Sequence, residues 1–354
     1  MRSGPDLTPS RTAPDRTAHG RRRHAVVTGA AGFVGSHLAE RLVADGWQVV
    51  GVDCFTDYYP RADKEANLAG LSAAPTFDLV EADLAGGAWR RCVGPGTVVF
   101  HLAAQAGVRG SFGASFARYA HDNLVATQSV LEAAGENGAD RVVWASSSSV
   151  YGDAEAYPCL EATTPTSPRS PYGVTKRACE DLARVYRNRG LHTVGLRYFT
   201  VYGPRQRPDM AMRRICRSLL DGTAFGMFGD GSQSRDFTFV SDAVDATVRA
   251  GVAGRTSPVY NVGGGEEATL AQVVAVLEAA AGRSLLVERH PVQAGDVLRT
   301  KADVRLAETE LGWRPVVRLV DGLAAEYAWT AQVVEAGRRT DRAAAGAAQP
   351  AVVG

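Results

Sequence analysis

Tyr172 and Lys176 stand one helical turn apart in Ser170-Pro171-Tyr172-Gly173-Val174-Thr175-Lys176. Ser170 suits an N-cap and Pro171 the first helical position, so the spacing predicts a helix start with both side chains on one face. A phenol is a weak base near neutral pH, its ordinary pKa being about 10. An ammonium beside it and the positive end of the helix both favour the phenolate. Such a pair can remove the proton of a hydroxyl while hydride leaves the same carbon. Upstream, Ser146-Ser147-Ser148-Ser149 follows the apolar run Arg141–Ala145. Hydroxyls at the C-terminal end of a strand lie where open α/β sheets bind ligands. They can orient a substrate hydroxyl and share its proton with Tyr172, although a polar strand-to-loop turn accounts for some of the four equally well.

A departing hydride needs an acceptor. Val27-Thr28-Gly29-Ala30-Ala31-Gly32-Phe33-Val34-Gly35 reads as a strand end, a glycine turn and a helix start. Gly29 permits the tight turn, Gly32 lets backbone N–H groups approach a pyrophosphate, and Gly35 allows close helix–strand packing. The pyrophosphate then lies at the helix N-terminus, with Phe33 and Val34 in the first turn. Asp53 ends the next apolar run, where a carboxylate accepts both ribose hydroxyls and repels a 2′-phosphate. NAD is therefore expected rather than NADP, and its oxidised ring adds a positive charge beside Tyr172. Arg61 and Lys64 lie too far along to take such a phosphate. Asp83-Leu84 follows the third run, and Asp83 either hydrogen-bonds the adenine amino group or caps the segment after it.

The elements that must position these groups alternate along the chain. Apolar runs at Ala25–Val27, Val49–Val52, Phe77–Val80, Thr97–Leu102, Arg141–Ala145 and Thr193–Tyr198 are separated by helical patterns, among them Phe33–Asp45, 121–136 and 171–189. Fully apolar short runs between helices indicate a parallel sheet covered on both faces. The fold expected is α/β, a doubly wound Rossmann-like domain over 24–200 with a smaller mixed α/β lobe over 201–331. Helices are expected in that lobe at 211–221, 240–251, 269–281 and 320–337. Residues 1–23 carry almost no aliphatic side chains and read as a flexible leader. Its Arg21–Arg23 run is read as solvated rather than phosphate-binding. Residues 332–354 are Ala-rich and read as a frayed helix and tail.

Composition excludes several classes. The 354 residues are 45% hydrophobic and 22% charged with a net charge of +1, so no global field selects nucleic acid or an anionic membrane. No apolar stretch is long enough to span a bilayer, and the N-terminus lacks a secretory apolar core. The five scattered cysteines fit neither a disulfide framework nor a zinc site, so no metal is expected and the setting is a reducing cytoplasm. Lysines occur only at 64, 176 and 301, so the many arginines reflect overall composition and single ones carry little weight.

TGAAGFVG, HLAAQAGVR, the serine cluster with VYG, YGVTK and LRYFTVYGPRQRPDMA together resemble the extended short-chain dehydrogenase/reductases that act on nucleotide sugars. The resemblance spans about residues 24–330 and is strongest to UDP-glucuronate 4-epimerases. It implies Tyr172 as base, Lys176 on the nicotinamide ribose, and Ser147 with Ser148 beside it as catalytic hydroxyls. Leu102, Ala103, Ala104, Gln105, Asn123, Ala145 and Tyr198 would line the cofactor. The second lobe would hold UDP, with Met227 and Phe228 flanking uracil and Arg235 and Asp296 on diphosphate and ribose. Arg299 is a further diphosphate candidate, and Arg235-Asp236 reads equally as a surface ion pair. Arg109, Ser147, Ser149, Thr200 and Arg207 would meet the sugar.

The implied reaction is 4-epimerisation through a transient 4-keto sugar. Related dehydratases place an Asp-Glu pair after the catalytic hydroxyl, and here Ser148 and Ser149 stand there. A glucuronyl carboxylate needs a paired cation when desolvated, which the planar fork of Arg207 can supply. Arg205 or Arg207 can instead brace its loop. Thr200 stands where UDP-glucose epimerases carry Asn, which points away from neutral hexoses. Once C4 is oxidised the substrate is a β-keto acid, so a UDP-glucuronate decarboxylase giving UDP-xylose or a 4-keto pentose is the alternative, with a UDP-glucose or UDP-GlcNAc 4-epimerase next. A non-catalytic NAD-binding regulator is disfavoured by the intact Tyr172–Lys176 pair. The helices at 121–136 and 171–189 would pair across a two-fold as a four-helix bundle, making a homodimer.

Overall fold

Strands with no exposed face belong inside a sheet covered on both sides. The computed structural model describes residues 23–254, 256–291 and 297–347. Their strands are β1 (His24–Thr28), β2 (Gln48–Asp53), β3 (Phe77–Glu81), β4 (Thr97–His101), β5 (Arg141–Ser147), β6 (Thr193–Tyr198), β7 (Thr200–Tyr202), β8 (Phe225–Phe228), β9 (Ser234–Phe239), β10 (Val259–Val262), β11 (Glu266–Thr269) and β12 (Val287–His290). The helices are α1 (Phe33–Ala44), α2 (Arg61–Asn67), α3 (Phe116–Tyr119), α4 (Ala126–Glu136), α5 (Pro171–Asn188), α6 (Ala211–Asp221), α7 (Val240–Val252), α8 (Leu270–Ala281), α9 (Arg305–Leu311) and α10 (Leu319–Ala347).

Seven strands form one parallel sheet in the order β10-β6-β5-β4-β1-β2-β3. On one face Leu38 and Leu42 of α1 share a core with Val240 and Val244 of α7. On the other, Val130 and Leu131 of α4 pack with Cys179 and Ala183 of α5. Each fully buried leucine contributes about 1.5–3 kcal/mol to this sandwich. The expected doubly wound α/β architecture is what forms. Two smaller sheets, β11-β9-β7 and β12-β8, pack with α6, α8 and α10 as the second lobe.

Three differences from the sequence reading have physical causes. The large sheet is not complete at residue 200: β10 returns to pair with β6, covering an edge that would otherwise stand open. The helix expected over 121–136 begins at Phe116 and contains a π-helical turn at Ala120–Val125, inside which Asn123 is buried. The expected tail is helical through Ala347. Its Val334 is buried, and Arg338 bonds Asp221 at 2.9 Å, so tertiary contacts extend a helix of weak composition. Residues 1–22 of the expected leader lie outside the described residues, as do 348–354. Arg23 itself stacks over the Trp47 ring. Among the described residues no helix is long and apolar enough to cross a membrane.

Candidate active site

The C-terminal ends of the central strands open onto one cavity of about 450 Å³. At one end it is lined by Gly29, Gly32, Phe33, Val34, Gly35, Asp53, Asp83, Leu84 and Leu102 to Gln105. At the other stand Ala145, Ser146 to Ser149, Tyr172, Lys176, Tyr198, Thr200 and Arg207.

The glycine turn leaves no room for side chains. Gly29 has φ +70°, and a Cβ added there would lie 2.8 Å from the Ala103 nitrogen. A Cβ at Gly35 would lie 2.0 Å from the Gly29 oxygen. The start of α1 is thereby drawn against β1 and faces the cavity, as a bound pyrophosphate requires. The two oxygens of Asp53 accept from the Ala31 and Phe55 N–H groups at 3.0 and 2.9 Å. That fixes the carboxylate and leaves lone pairs for two further hydroxyl donors. These residues fit a dinucleotide. Asp83 accepts from the Ala85 N–H at 2.8 Å, the capping bond, while still lining the cavity, so both of its expected roles are geometrically compatible.

Asn123 departs from expectation. It is 1% exposed and sits one layer behind the cavity wall. Its side chain takes the Gln105 N–H at 2.8 Å and donates to the Gln105 carbonyl and the Thr175 hydroxyl. The π turn projects it inward, where it braces the segment carrying Ala103 to Gln105 instead of facing the cavity.

At the reaction end, the Ser170 hydroxyl accepts from the Gly173 N–H and caps α5 as expected. Lys176 is 4% exposed, donates to the Ala145 carbonyl at 2.9 Å, and holds its Nζ 6.0 Å from the Tyr172 ring centre. Burial, with the Lys176 charge, pushes the nearby His101 imidazole down to about 3, so it stays neutral. The Ser147 hydroxyl accepts from the Ser149 N–H. Ser146 turns away and donates to Glu180 at 2.7 Å. Glu180 also receives two bonds from Arg197 at 2.8 Å each, and Arg197 donates to Tyr151. Tyr172, Lys176 and Glu180 thus occupy successive turns of α5, and the last ties the helix to the serine strand end. Tyr198 hydrogen-bonds Thr247 at 2.6 Å.

The loop after β7 separates two arginines. Arg205, in a left-handed conformation at φ 66°, bonds Glu40 and Ser36 of α1, so Arg205 is the one that braces the loop. Arg207 lines the cavity, with Nε and Nη2 each 3.0 Å from an oxygen of Asp209. Burial works against its charge, and the Asp209 carboxylate outweighs that, holding the guanidinium above its usual value.

Of the candidates for holding UDP, Met227, Phe228, Arg235 and Arg299 do not line this cavity. Met227 is 4% exposed in the lobe's own core, because β8 alternates and turns that side inward. Phe228 faces the other way, beneath the Arg109 guanidinium at 4.3 Å. Arg235 reaches the Ser234 and Leu298 carbonyls, while buried Asp236 accepts from the Gly264 and Ala302 N–H groups, so the two are not a surface ion pair. Arg299 is committed to both oxygens of Glu267 at 2.6 and 2.9 Å. Asp296 lies outside the described residues.

Thr56, Tyr58, Tyr59, Lys64 and Met210 also line the cavity and were not anticipated as site residues. They sit on the loop after β2, on α2 and before α6. The only signal in the chain is the Tyr58-Tyr59 pair following Asp53.

Residues 25–263 match the family model described as the NAD dependent epimerase/dehydratase family. The uncharacterized UDP-glucose epimerase YtcB of Bacillus subtilis is 40% identical over 313 residues, covering 88% of this chain and 98% of that protein. A probable UDP-glucuronate 4-epimerase of Rhizobium meliloti is 36% identical over 327 residues, covering 86% and 96%. The crystal structure of UDP-glucuronic acid 4-epimerase from Bacillus cereus, in complex with UDP-glucuronic acid and NAD, matches with a TM-score of 0.83 at 38% identity, over 88% of this chain and 99% of that one. A family model covering most of the chain, a glycine turn that admits a pyrophosphate, and Tyr172 with Lys176 on one cavity wall lead to one conclusion: the chain belongs to the NAD dependent epimerase/dehydratase family.

Proposed function

We propose that the protein interconverts the C4 epimers of a UDP-sugar, with UDP-glucuronate and UDP-galacturonate as its pair. NAD, when bound, supplies a reversible hydride acceptor. Gly29, Gly32, Gly35 and Asp53 hold its diphosphate and ribose, with Leu102 to Gln105 and Tyr198 along its length. Tyr172 takes the C4 hydroxyl proton and gives it back, aided by the Ser147 hydroxyl with Ser148 beside it. Lys176, pinned by the Ala145 carbonyl, keeps a positive charge beside that phenol. Ser149, Thr200 and Arg207 meet the sugar, and Arg207 faces its carboxylate.

The observation that carries this reading is one cavity wall bearing Tyr172, Lys176 and a guanidinium, with serines at 148 and 149 where dehydration would need an acid and a base. UDP itself would reach across to Phe228, Arg235 and Asp296 in the second lobe. A homodimer is supported by Val125, Val174 and Val185, exposed on the helical faces at 116–136 and 171–188. Five free thiols fit a reducing cytoplasm.

The test is incubation with UDP-glucuronate and NAD, followed by mass spectrometry and proton NMR of the nucleotide sugar. Retained mass with the equatorial H4 signal of UDP-galacturonate, marked by its small couplings, is expected. Loss of carbon dioxide would make the protein a decarboxylase, and turnover of UDP-glucose alone would make the sugar a neutral hexose.

A further inference from the structure

Arg207 is the cation nearest to a sugar carboxylate in the reading above, yet it does not stand alone. A guanidinium offers two bidentate edges: the side edge through Nε and one terminal nitrogen, and the end edge through both terminal nitrogens. Asp209 takes the side edge with both oxygens at 3.0 Å. Asp209 in turn accepts from the Tyr58 hydroxyl at 3.1 Å. Tyr58 lies on the loop after β2 and lines the same cavity, and its ring stands 5.7 Å from the Arg207 guanidinium. Burial and the Asp209 charge push the Tyr58 phenol up to about 12, so it remains a donor. The Arg207 side chain is 19% exposed and that of Asp209 43%. Asp209 therefore works from the solvent side, and its pairing leaves the end edge of Arg207 for the cavity.

We propose that Asp209, held by Tyr58, is a positioning residue that fixes Arg207 by its side edge so that its end edge receives the carboxylate of a UDP-uronate. The proposal rests on the reading of the substrate as UDP-glucuronate and adds how the cation is oriented. An unpinned arginine loses side-chain freedom when it binds, and pre-orienting the fork removes that loss. The carboxylate of Asp209 also tempers the charge on Arg207, so the pocket tolerates the empty state without an unpaired buried cation. A neutral hexose makes no use of the end edge. Asp209 should therefore matter for the charged sugar and not for the neutral one.

The test compares wild type, Asp209→Ala, Asp209→Glu and Tyr58→Phe, each loaded with NAD, on UDP-glucuronate and UDP-glucose. Asp209→Ala should raise KM for UDP-glucuronate about tenfold, equivalent to about 1.4 kcal/mol, while kcat changes less than about threefold. UDP-glucose binding, measured by calorimetry, should stay within about twofold. Asp209→Glu should recover part of the loss, and Tyr58→Phe should show a smaller rise of the same kind. Equal losses on both sugars would reduce Asp209 to a fold-stabilising role and overturn the proposal. An unchanged or lowered KM for UDP-glucuronate would mean that Asp209 competes with the substrate, and would also overturn it. Wild-type protein that neither binds nor turns over UDP-glucuronate would sink the substrate reading itself and the proposal with it.

Discussion

The reaction centre and the nucleotide lobe treat their polar side chains in opposite ways. At the reaction centre, Ser147, Lys176 and Asp53 are fixed by backbone partners, and with Tyr172, Ser148 and Ser149 they line a shared cavity. In the second lobe, Arg299 is spent on Glu267, Arg235 on carbonyls and Asp236 on two N–H groups. The difference follows from architecture. Parallel strands deliver every C-terminal end to one edge, so residues placed there converge without further design. Short mixed strands have no such common edge, and each polar group settles with its nearest partner.

Three experiments break or sharpen that contrast. The largest effect is expected from Tyr172→Phe, which removes one hydroxyl from the convergent edge. Turnover should fall by about 10²–10⁴, with NAD and UDP-sugar affinity nearly intact by calorimetry. Turnover near that of wild type would remove Tyr172 from the chemistry.

A second experiment probes the joint between the two regions. Glu326 of α10 is fully buried and accepts from the Gly203 N–H at 2.9 Å, while its other oxygen has no hydrogen-bond partner among the described residues. Burial pushes its pKa up from 4.5 to about 8. The native state then binds the proton more tightly than the unfolded chain, so this group's effect on stability worsens as pH rises from about 4.5 to about 8 and is flat above. Relative to wild type, Glu326→Gln should gain in melting temperature on going from pH 5 to pH 8. A pH-independent difference would show that the carboxyl stays ionised in the native state.

The smallest effect is expected from Arg299→Ala. Arg299 is itself half-exposed, so solvent screens its pair with Glu267 and the pair adds little to stability. KM for the UDP-sugar should change less than about twofold. A rise above fivefold would return Arg299 to the diphosphate and weaken the contrast itself.

Some of this was legible in the chain and some was not. The Ser170 cap, the Gly29 turn and the ends of β1, β2 and β5 are local features, fixed by dihedral preferences and by hydrophobic runs of strand length. Wherever a motif sat on one of those elements, its position in the cavity came with it. The side on which Asn123 falls was not readable, because a π turn shifts the helical face without leaving a mark in composition. Nor was the committed state of Arg299, since its partner Glu267 lies on β11, far back along the chain.

By itself, the sequence determined a strand–turn–helix unit able to cradle a dinucleotide and a phenol paired with an amine one turn away, because both are short-range geometry. Only the tertiary structure decided that β10 closes the sheet, that Arg205 braces the loop while Arg207 faces the cavity, and that Tyr58 reaches Asp209. Those outcomes depend on contacts between segments far apart in the chain, whose register and direction no local pattern encodes.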